Sequence, residues 1–153
     1  MATVHIGIGS NMGERRESVF KALEALKQKG VHVTKVSSLY ETEPWGVKEQ
    51  PAFINMALEG ETDLLPGELL AALKDIEREM GRDSVMRWGP RIIDLDVLFY
   101  DDIILERDDF RVPHPLLHER SFVLDPLCDI APDKEHPVLK KSVRQLKEEM
   151  DNG

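Results

Sequence analysis

Residues 87–99 read RWGPRIIDLDVLF, a basic loop with glycine and proline that leads into a strand-like apolar run. Side chains alternate between the two sides of a strand, so Asp94 and Asp96 share one face while the apolar residues around them share the other. One face has the character of a core and the other that of a functional site. We expect the remaining elements to be arranged around this strand.

The acidic face of this strand has two interpretations. Two carboxylates on one face repel each other unless a cation lies between them, and hard oxygen ligands suit Mg²⁺. A half-exposed strand also alternates charged and apolar residues without binding any metal. The nearby Arg82, Arg87 and Arg91 favour the metal site, because guanidinium groups that bind phosphate then lie close to metal-type carboxylates. Mg²⁺ held by carboxylates and substrate phosphates is a recurring arrangement in phosphoryl transfer.

The composition limits the class of protein. With 153 residues, 41% of them apolar, the chain is expected to form one domain over residues 1–153. A net charge of −9 and a pI near 5.0 argue against a nucleic acid or an anionic membrane as the main partner. Cys128 is the only cysteine, which excludes an intramolecular disulfide and fits a reducing compartment. The sequence lacks a signal-peptide pattern and a membrane-length apolar run, so we expect a cytoplasmic protein.

Apolar periodicity and turn residues predict the order of the elements. Strand patterns occur at 4–9, 31–40 and 53–59 and around the two aspartates, and helical patterns occur at 14–29 and 66–80. The segment 41–52, with two prolines and a glycine, is expected to be a functional loop. The β-α-β-β-α-β order predicts an α+β fold with a ferredoxin-like split β-α-β core, a largely antiparallel sheet with helices packed on it.

After this core we expect an extra C-terminal hairpin and helices. A tight turn at Asp101 and Asp102 leads into 103–105, which is predicted to extend the sheet. Prolines exclude a long element at 112–120, and short helices are predicted within 116–127. Segment 142–150 is typical of an exposed helix that opens with a capping box of Ser142 and Gln145.

Two other motifs carry weaker signals. The glycines at 7, 9 and 13 invite comparison with a phosphate-binding loop, but no Gly-Lys-Ser/Thr follows, so we interpret them as allowing close packing and a turn. His114 stands between two prolines and could donate to a phosphate oxygen from this stiff segment. A lone histidine is more often structural, and no His or Cys at ligand spacing supports zinc.

The aromatic residues suggest a second kind of ligand. Trp45, Phe53, Trp88 and Phe122 lie in or beside loops and strand ends, where each one alone is typical of ordinary packing. With Asn55, whose amide can pair with the polar edge of a heterocycle, they could sandwich a flat ring. The sequence alone does not show that they converge.

Six short motifs are spread along nearly the whole chain. They are Gly9-Ser10-Asn11, Tyr40-x-Thr42-x-Pro44-x-Gly46, Gln50-Pro51-x-Phe53-x-Asn55, Arg87-Trp88-Gly89-Pro90-Arg91-x-x-Asp94-Leu95-Asp96, Pro113-His114-Pro115 and Glu119-Arg120-x-Phe122. Together they resemble the 6-hydroxymethyl-7,8-dihydropterin pyrophosphokinase family, and the arginine-tryptophan block with its aspartate pair is the most specific. The resemblance implies transfer of the β,γ-diphosphate of ATP to the hydroxymethyl group of the pterin, with release of AMP, in folate biosynthesis.

The resemblance also implies a role for individual residues. Asp94 and Asp96 would hold two Mg²⁺ ions on the triphosphate and, with Arg82 and Arg91, form the expected catalytic set. The expected ATP-binding residues are Glu77, Arg82, Arg87, Arg91, His114 and Arg120. The expected pterin-binding residues are Thr42, Pro44, Trp45, Phe53, Asn55, Trp88 and Phe122. The proton acceptor stays open between Asp94 and solvent.

Other functions fit parts of the pattern. A nucleotidyltransferase also binds Mg-nucleotide with a Gly-Ser turn and an Asp-x-Asp pair, but there the two elements lie close in sequence. A ferredoxin-like module that binds RNA would need a basic face, which the net charge of −9 does not favour. A non-catalytic nucleotide-binding module stays open, because a sequence does not prove turnover. The absence of a coiled-coil pattern or a charged arm favours a monomer.

Overall fold

A computed structural model gives the positions of residues 1–10, 15–42, 53–80 and 93–152. Within these ranges seven strands and four α-helices follow one another. The strands are β1 (Ala2–Ser10), β2 (Val31–Val36), β3 (Tyr40–Thr42), β4 (Phe53–Thr62), β5 (Asp94–Tyr100), β6 (Leu105–Glu106) and β7 (Arg111–Val112). The helices are α1 (Arg15–Gln28), α2 (Pro66–Glu79), α3 (Ser121–Ile130) and α4 (Val143–Asn152), and a 3₁₀ turn at Leu117–Glu119 precedes α3. None of the helices in these ranges is long and apolar enough to cross a membrane.

The main sheet follows the split β-α-β order that the element pattern predicts. Its strands run in the order β2-β4-β1-β5, β3 also pairs with β4, and every pair is antiparallel. Strand β4 therefore lies between β1 and β2, which α1 connects. The predicted α+β class with a ferredoxin-like core is confirmed.

One face of the sheet packs on the first two helices. Val4, Ile6 and Ile8 of β1 point to this side and join the apolar stripes of α1 and α2 in one buried cluster. Helix α2 begins at Pro66, which suits the first helical position, and the Glu68 carboxylate accepts a hydrogen bond from Leu65 N at 2.8 Å. Since alternate residues fill this core, the residues between them face the other way.

The second face packs on the two C-terminal helices. Leu98 and Phe99 of β5 and Ala57 of β4 form a separate buried cluster with α3 and α4. Helix α3 covers only part of this face, so the glycine end of β1 and the acidic end of β5 stay open beside it. The sheet is thus covered on both sides, and the functional side chains lie on the side of α3.

The predicted strand at 31–40 is two strands. Strand β2 ends at Val36 and β3 begins at Tyr40, although both pair with β4. Between them Ser37 N donates to Ala57 O, and the Ser37 hydroxyl accepts from Ala57 N, each at 2.9 Å. A side chain therefore replaces the backbone partner of Ala57 and interrupts the ladder, which a propensity pattern does not reveal.

The prediction that 103–105 extends the main sheet is wrong. Asp101 adopts φ 48°, a left-handed conformation that turns the chain away from β5. Ile103 and Ile104 lie outside the strands, and β6 begins at Leu105 and pairs with β7 in a separate two-stranded sheet. The hairpin exists, but it does not continue the main sheet.

The C-terminal predictions are confirmed in their local features. The short helices predicted within 116–127 are the 3₁₀ turn and α3, and α3 continues beyond this range to Ile130. The capping box forms, because Ser142 N donates to Gln145 Oε1 at 2.8 Å and Gln145 N donates to Ser142 Oγ at 3.1 Å. Helix α4 is not exposed on all sides, since Val143 and Leu146 are buried against the second face of the sheet and α3.

Candidate active site

A cavity of about 360 Å³ opens where β1, β4 and β5 meet the N-terminal end of α3. It is lined by Gly7, Ile8, Gly9, Phe53, Asn55, Met56, Ala57, Lys74, Glu77, Asp94, Leu95, Asp96, Leu98, Arg120, Phe122 and Val123. The lining combines carboxylates, a guanidinium group, an amide and two aromatic rings. This is the mixture expected of a site for a charged and a flat ligand.

The floor of the cavity is made by glycines. Gly7 and Gly9 lie on the cavity-facing side of β1, opposite Ala57 and Asn55 of β4. A Cβ atom at Gly9 would lie 3.1 Å from Asn55 Oδ1, closer than most real contacts. Gly9 therefore leaves room for the Asn55 amide, which supports the interpretation as a packing residue at this position, while Gly13 lies outside the described residues.

Strand β5 presents Asp94 and Asp96 together to the cavity. Asp94 is half-buried and Asp96 is exposed. A side chain of α2 fixes the peptide between them, because Leu95 N donates to Glu77 Oε2 at 2.9 Å. Glu77 is 3% exposed, so its carboxylate is an internal anchor as well as a cavity residue. Glu77 was predicted as an ATP-binding residue, but its contact with Leu95 N has no signal in the sequence, since a single glutamate after the apolar Ile76 of α2 does not reveal it.

Two carboxylates do not complete a metal site by themselves. Among the residues whose positions are known, no group of three His, Cys, Asp or Glu side chains could hold a metal ion. The donor set of Asp94 and Asp96 fits Mg²⁺, which takes oxygen ligands and is commonly bound by one or two carboxylates together with substrate phosphates. The remaining ligands would then come from a phosphorylated substrate and water.

A bulge in β5 places His114 near the aspartates. His5 pairs with Phe99 and Ile6 pairs with Val97, so Leu98 is an extra residue. Leu98 O accepts a hydrogen bond from His114 N at 3.1 Å, and His114 Nδ1 accepts one from Leu116 N at 3.3 Å. Neutral His114 therefore carries its proton on Nε2.

The surroundings of His114 favour its neutral form. Burial lowers the pKa of the imidazole, the Asp96 carboxylate opposes this shift, and the Arg120 guanidinium adds to it. Asp96 and Arg120 both line the cavity, whereas His114 lies beside it and lines a smaller pocket with His118 and His136. A neutral imidazole with a proton on Nε2 remains a hydrogen-bond donor.

The aromatic side of the cavity comes from two separate elements. Phe53 opens β4, and Phe122 lies in the first turn of α3. Asn55, 8% exposed, lies two residues after Phe53 on the same face of β4. The Arg120 guanidinium lies 5.6 Å from the centre of the Phe122 ring, a cation–π distance. The structure therefore brings Phe53, Asn55 and Phe122 to one cavity with the aspartate pair.

Six of the predicted site residues lie outside the part of the chain that the structure describes. They are Pro44, Trp45, Arg82, Arg87, Trp88 and Arg91. Thr42 ends β3 and its backbone pairs with Phe53. Of the remaining predicted residues, Glu77, Asp94, Asp96, Arg120, Phe53, Asn55 and Phe122 line the cavity, and His114 lies next to it.

Comparison with known proteins identifies the family. The family model described as 7,8-dihydro-6-hydroxymethylpterin-pyrophosphokinase (HPPK) matches residues 5–132. The chain belongs to this family. The predictions made from the six motifs, a diphosphotransferase and a pterin pyrophosphokinase of folate biosynthesis, are confirmed by this match and by the relatives below.

Relatives of similar length and much longer ones both match. A 2-amino-4-hydroxy-6-hydroxymethyldihydropteridine pyrophosphokinase of Aquifex aeolicus is 42% identical over 149 residues, 97% of this chain and 92% of that protein. The protein of the same name in Bacillus subtilis is 46% identical, over 86% of this chain and 79% of that one. The folic acid synthesis protein FOL1 of Dictyostelium discoideum is 40% identical over 98% of this chain, which spans only 23% of the longer protein.

Solved structures support the fold. The HPPK-DHPS crystal structure from Plasmodium falciparum matches with a TM-score of 0.75 over 97% of this chain and 44% of that chain, at 17% identity. At this identity the likeness concerns the HPPK fold alone. The chain therefore corresponds to one part of such longer proteins.

Proposed function

We propose that the chain transfers the β,γ-diphosphate of ATP to the hydroxymethyl group of 6-hydroxymethyl-7,8-dihydropterin and releases AMP. The observation that carries this proposal is the single cavity lined by Asp94 and Asp96 on one side and by Phe53, Asn55 and Phe122 on the other. A diphosphate donor needs charge neutralisation, whereas a pterin needs stacking surfaces and amide-type hydrogen bonds. Family membership supports the same pair of substrates.

On the ATP side, Asp94 and Asp96 would hold two Mg²⁺ ions on the triphosphate. When bound, these ions would neutralise the charge that develops as the diphosphate group is transferred. Arg120, which lines the cavity, would contact a phosphate oxygen, and neutral His114 would donate from Nε2 to another. Arg82, Arg87 and Arg91 are proposed as further phosphate contacts on the resemblance alone.

On the pterin side, Phe53 and Phe122 would stack on the two faces of the ring. Asn55 carries both an acceptor and donors, so its amide can pair with the polar edge of the pterin. The Thr42 backbone, opposite Phe53 at the end of β3, would pair with the same edge. Pro44, Trp45 and Trp88 are proposed to close this side of the pocket, which would exclude water and limit idle hydrolysis of ATP.

Glu77 is proposed to line the site and also to position the strand that carries the two aspartates. Its buried carboxylate accepts from Leu95 N and so holds the peptide between the two aspartates. The same side chain lines the cavity near Lys74, whose Nζ lies 3.9 Å from Glu77 Oε1.

A cytoplasmic, monomeric protein is proposed from composition, with ATP and the pterin as its partners.

One assay tests the reaction itself. The protein is incubated with Mg-ATP and 6-hydroxymethyl-7,8-dihydropterin, and the nucleotide products are separated by ion-exchange chromatography. Pterin-dependent formation of AMP, in a 1:1 ratio to the pterin diphosphate, is the expected result. Formation of ADP would mean transfer of a single phosphate, and an absence of pterin-dependent turnover would reject the proposal. Omitting Mg²⁺ and adding chelator serves as the control.

A further inference from the structure

A carboxylate at the end of α3 joins this helix to the start of β3. Tyr40 Oη donates to Asp129 Oδ1 at 2.8 Å, and Ser38 N donates to Asp129 Oδ2 at 3.3 Å. The partners are 89 and 91 residues apart in sequence. Both oxygens of one carboxylate are therefore used to fix a helix against a short strand.

The hydrogen bond extends the range in which Tyr40 is protonated further above neutral pH. It raises the pKa of the Tyr40 phenol to about 12, with smaller contributions from burial and from the charges of Asp129 and Asp125, while Lys147 opposes the shift. The phenol is thus a permanent donor at neutral pH. The donor side of this contact therefore stays the same near neutral pH.

The two ends of this contact belong to the two walls of the proposed pterin site. Tyr40 is the first residue of β3 and pairs with Asn55 of β4. Thr42, two residues later, pairs with Phe53. On the other side, Phe122 and Asp129 are seven residues apart on α3, which is about two helical turns, so they lie on the same face of the helix. One contact therefore ties the strand beside Phe53 to the helix that carries Phe122.

The backbone ladder of α3 is interrupted between the first turn and Asp129. Pro126 lies inside the helix and its ring nitrogen cannot donate to the carbonyl of Phe122, four residues earlier. Leu124 and Leu127 are fully buried and hold the helix on the sheet, but burial of aliphatic side chains does not fix a helix along its own axis. The directional hydrogen bonds at Asp129 do so.

We propose that Tyr40 and Asp129 are positioning residues that set the separation of the Phe53 and Phe122 rings and thereby the affinity for the pterin. This inference rests on the proposed placement of the pterin between these rings. Neither residue lines the cavity, so their effect is transmitted through β3 and α3. ATP, on the aspartate side of the cavity, does not depend on this separation.

Steady-state kinetics of Tyr40→Phe and Asp129→Asn test the proposal. The phenylalanine variant keeps the ring and removes only the donor, so a single hydrogen bond is lost. We expect the KM for the pterin to rise about 5- to 10-fold, in line with the loss of one typical hydrogen bond. The KM for ATP and kcat are expected to change by less than about 2-fold. Asp129→Glu, which keeps a carboxylate, is expected to recover part of the pterin affinity.

Two further variants complete the experiment. Asp133→Asn makes the same chemical change near Arg144, whose Nη1 lies 2.9 Å from Asp133 Oδ1, and is expected to leave the pterin KM unchanged. Phe122→Ala reports on the proposed site itself. If Phe122→Ala weakens pterin binding but Tyr40→Phe does not, the positioning role is wrong while the site stands. If Phe122→Ala has no effect, the pterin site is misplaced.

A purely structural role would give a different pattern. In that case the melting temperature would fall in Tyr40→Phe and Asp129→Asn, and the KM values for ATP and the pterin would change together or not at all. Equal changes in the two KM values, or no change in either of them, would overturn the proposal. A selective rise of the pterin KM that Asp133→Asn does not reproduce is the result that the structure leads us to expect.

Discussion

Asp94 and Asp96 share a strand face but differ in their surroundings. Asp94 is half-buried, whereas Asp96 is exposed at the cavity and close enough to His114 to influence its pKa. The intervening Leu95 is fixed by the buried Glu77. The pair is therefore displayed by a rigid peptide, and a change at either position alters charge without removing the support.

Replacing Asp96 by asparagine tests the proposed metal role. The side chain keeps its size, so Asp96→Asn is expected to fold with an unchanged circular dichroism spectrum. We expect kcat to fall at least about 100-fold, the scale of losing a main electrostatic stabiliser. The matched control is Asp102→Asn, an exposed carboxylate near Lys134 and outside the cavity, which should keep activity. Wild-type turnover in Asp96→Asn would remove the metal role.

His5 gives the fold a dependence on pH. It is 2% exposed, and its Nε2 lies 3.0 Å from Glu59 Oε1. Burial lowers the pKa of His5 from its usual 6.5, Glu59 opposes this shift, and Lys134 and Lys35 add to it. The unfolded chain then binds a proton more readily than the folded chain, so stability falls as pH drops below 6.5 and levels off once the lowered pKa is passed.

Urea unfolding between pH 7.5 and pH 5.5 measures this effect. One extra proton in the unfolded state changes the free energy of unfolding by at most about 1.4 kcal/mol per pH unit. We expect His5→Gln to show a smaller loss on acidification than the wild type. His32→Gln is the control, because the His32 ring is exposed in the folded protein. Equal pH dependence in wild type and His5→Gln would assign the loss to other groups.

At the scale of the elements, local chemistry was predictable and long-range pairing was not. The capping box of Ser142 and Gln145 involves residues three apart, so the sequence contains all of it. The break after β2 depends on Ser37 meeting Ala57, and the turn after β5 is fixed by Asp101 N donating to Thr3 O. Such partners come together only in the folded sheet, which is why the single strand at 31–40 and the extension of the main sheet by 103–105 were mispredicted.

The capping box provides a prediction for α4. Ser142→Ala removes the acceptor of Gln145 N, and we expect the free energy of unfolding to fall by about 1 kcal/mol, as for other N-cap replacements. Glu148→Ala, on the exposed side of the same helix, is the control for the change to alanine. Urea unfolding at pH 7.5 compares the variants. A loss no larger than that of the control would show that the capping box contributes nothing to stability.

At the scale of the whole molecule, the order of the elements predicted the sheet, and the sheet explains the site. The β-α-β-β-α-β pattern places β1 and β5 side by side, which brings the Gly7 and Gly9 floor next to Asp94 and Asp96. The aromatic wall was not predictable from spacing, because α3 packs on the face that the first two helices leave open. Phe122 reaches the cavity through this packing, and although its position beside a loop suggested a role in stacking, the sequence did not show that it converges with Phe53.

The proposed site is one cavity with a phosphate side and a pterin side. Calorimetry on Phe122→Ala tests this division most directly, with a non-hydrolysable ATP analogue titrated alone and the pterin titrated in its presence. We expect the pterin to bind about 10-fold or more weakly, the scale of losing one aromatic stacking partner, and the ATP analogue to bind as in the wild type. An equal loss of affinity for both ligands would contradict the account.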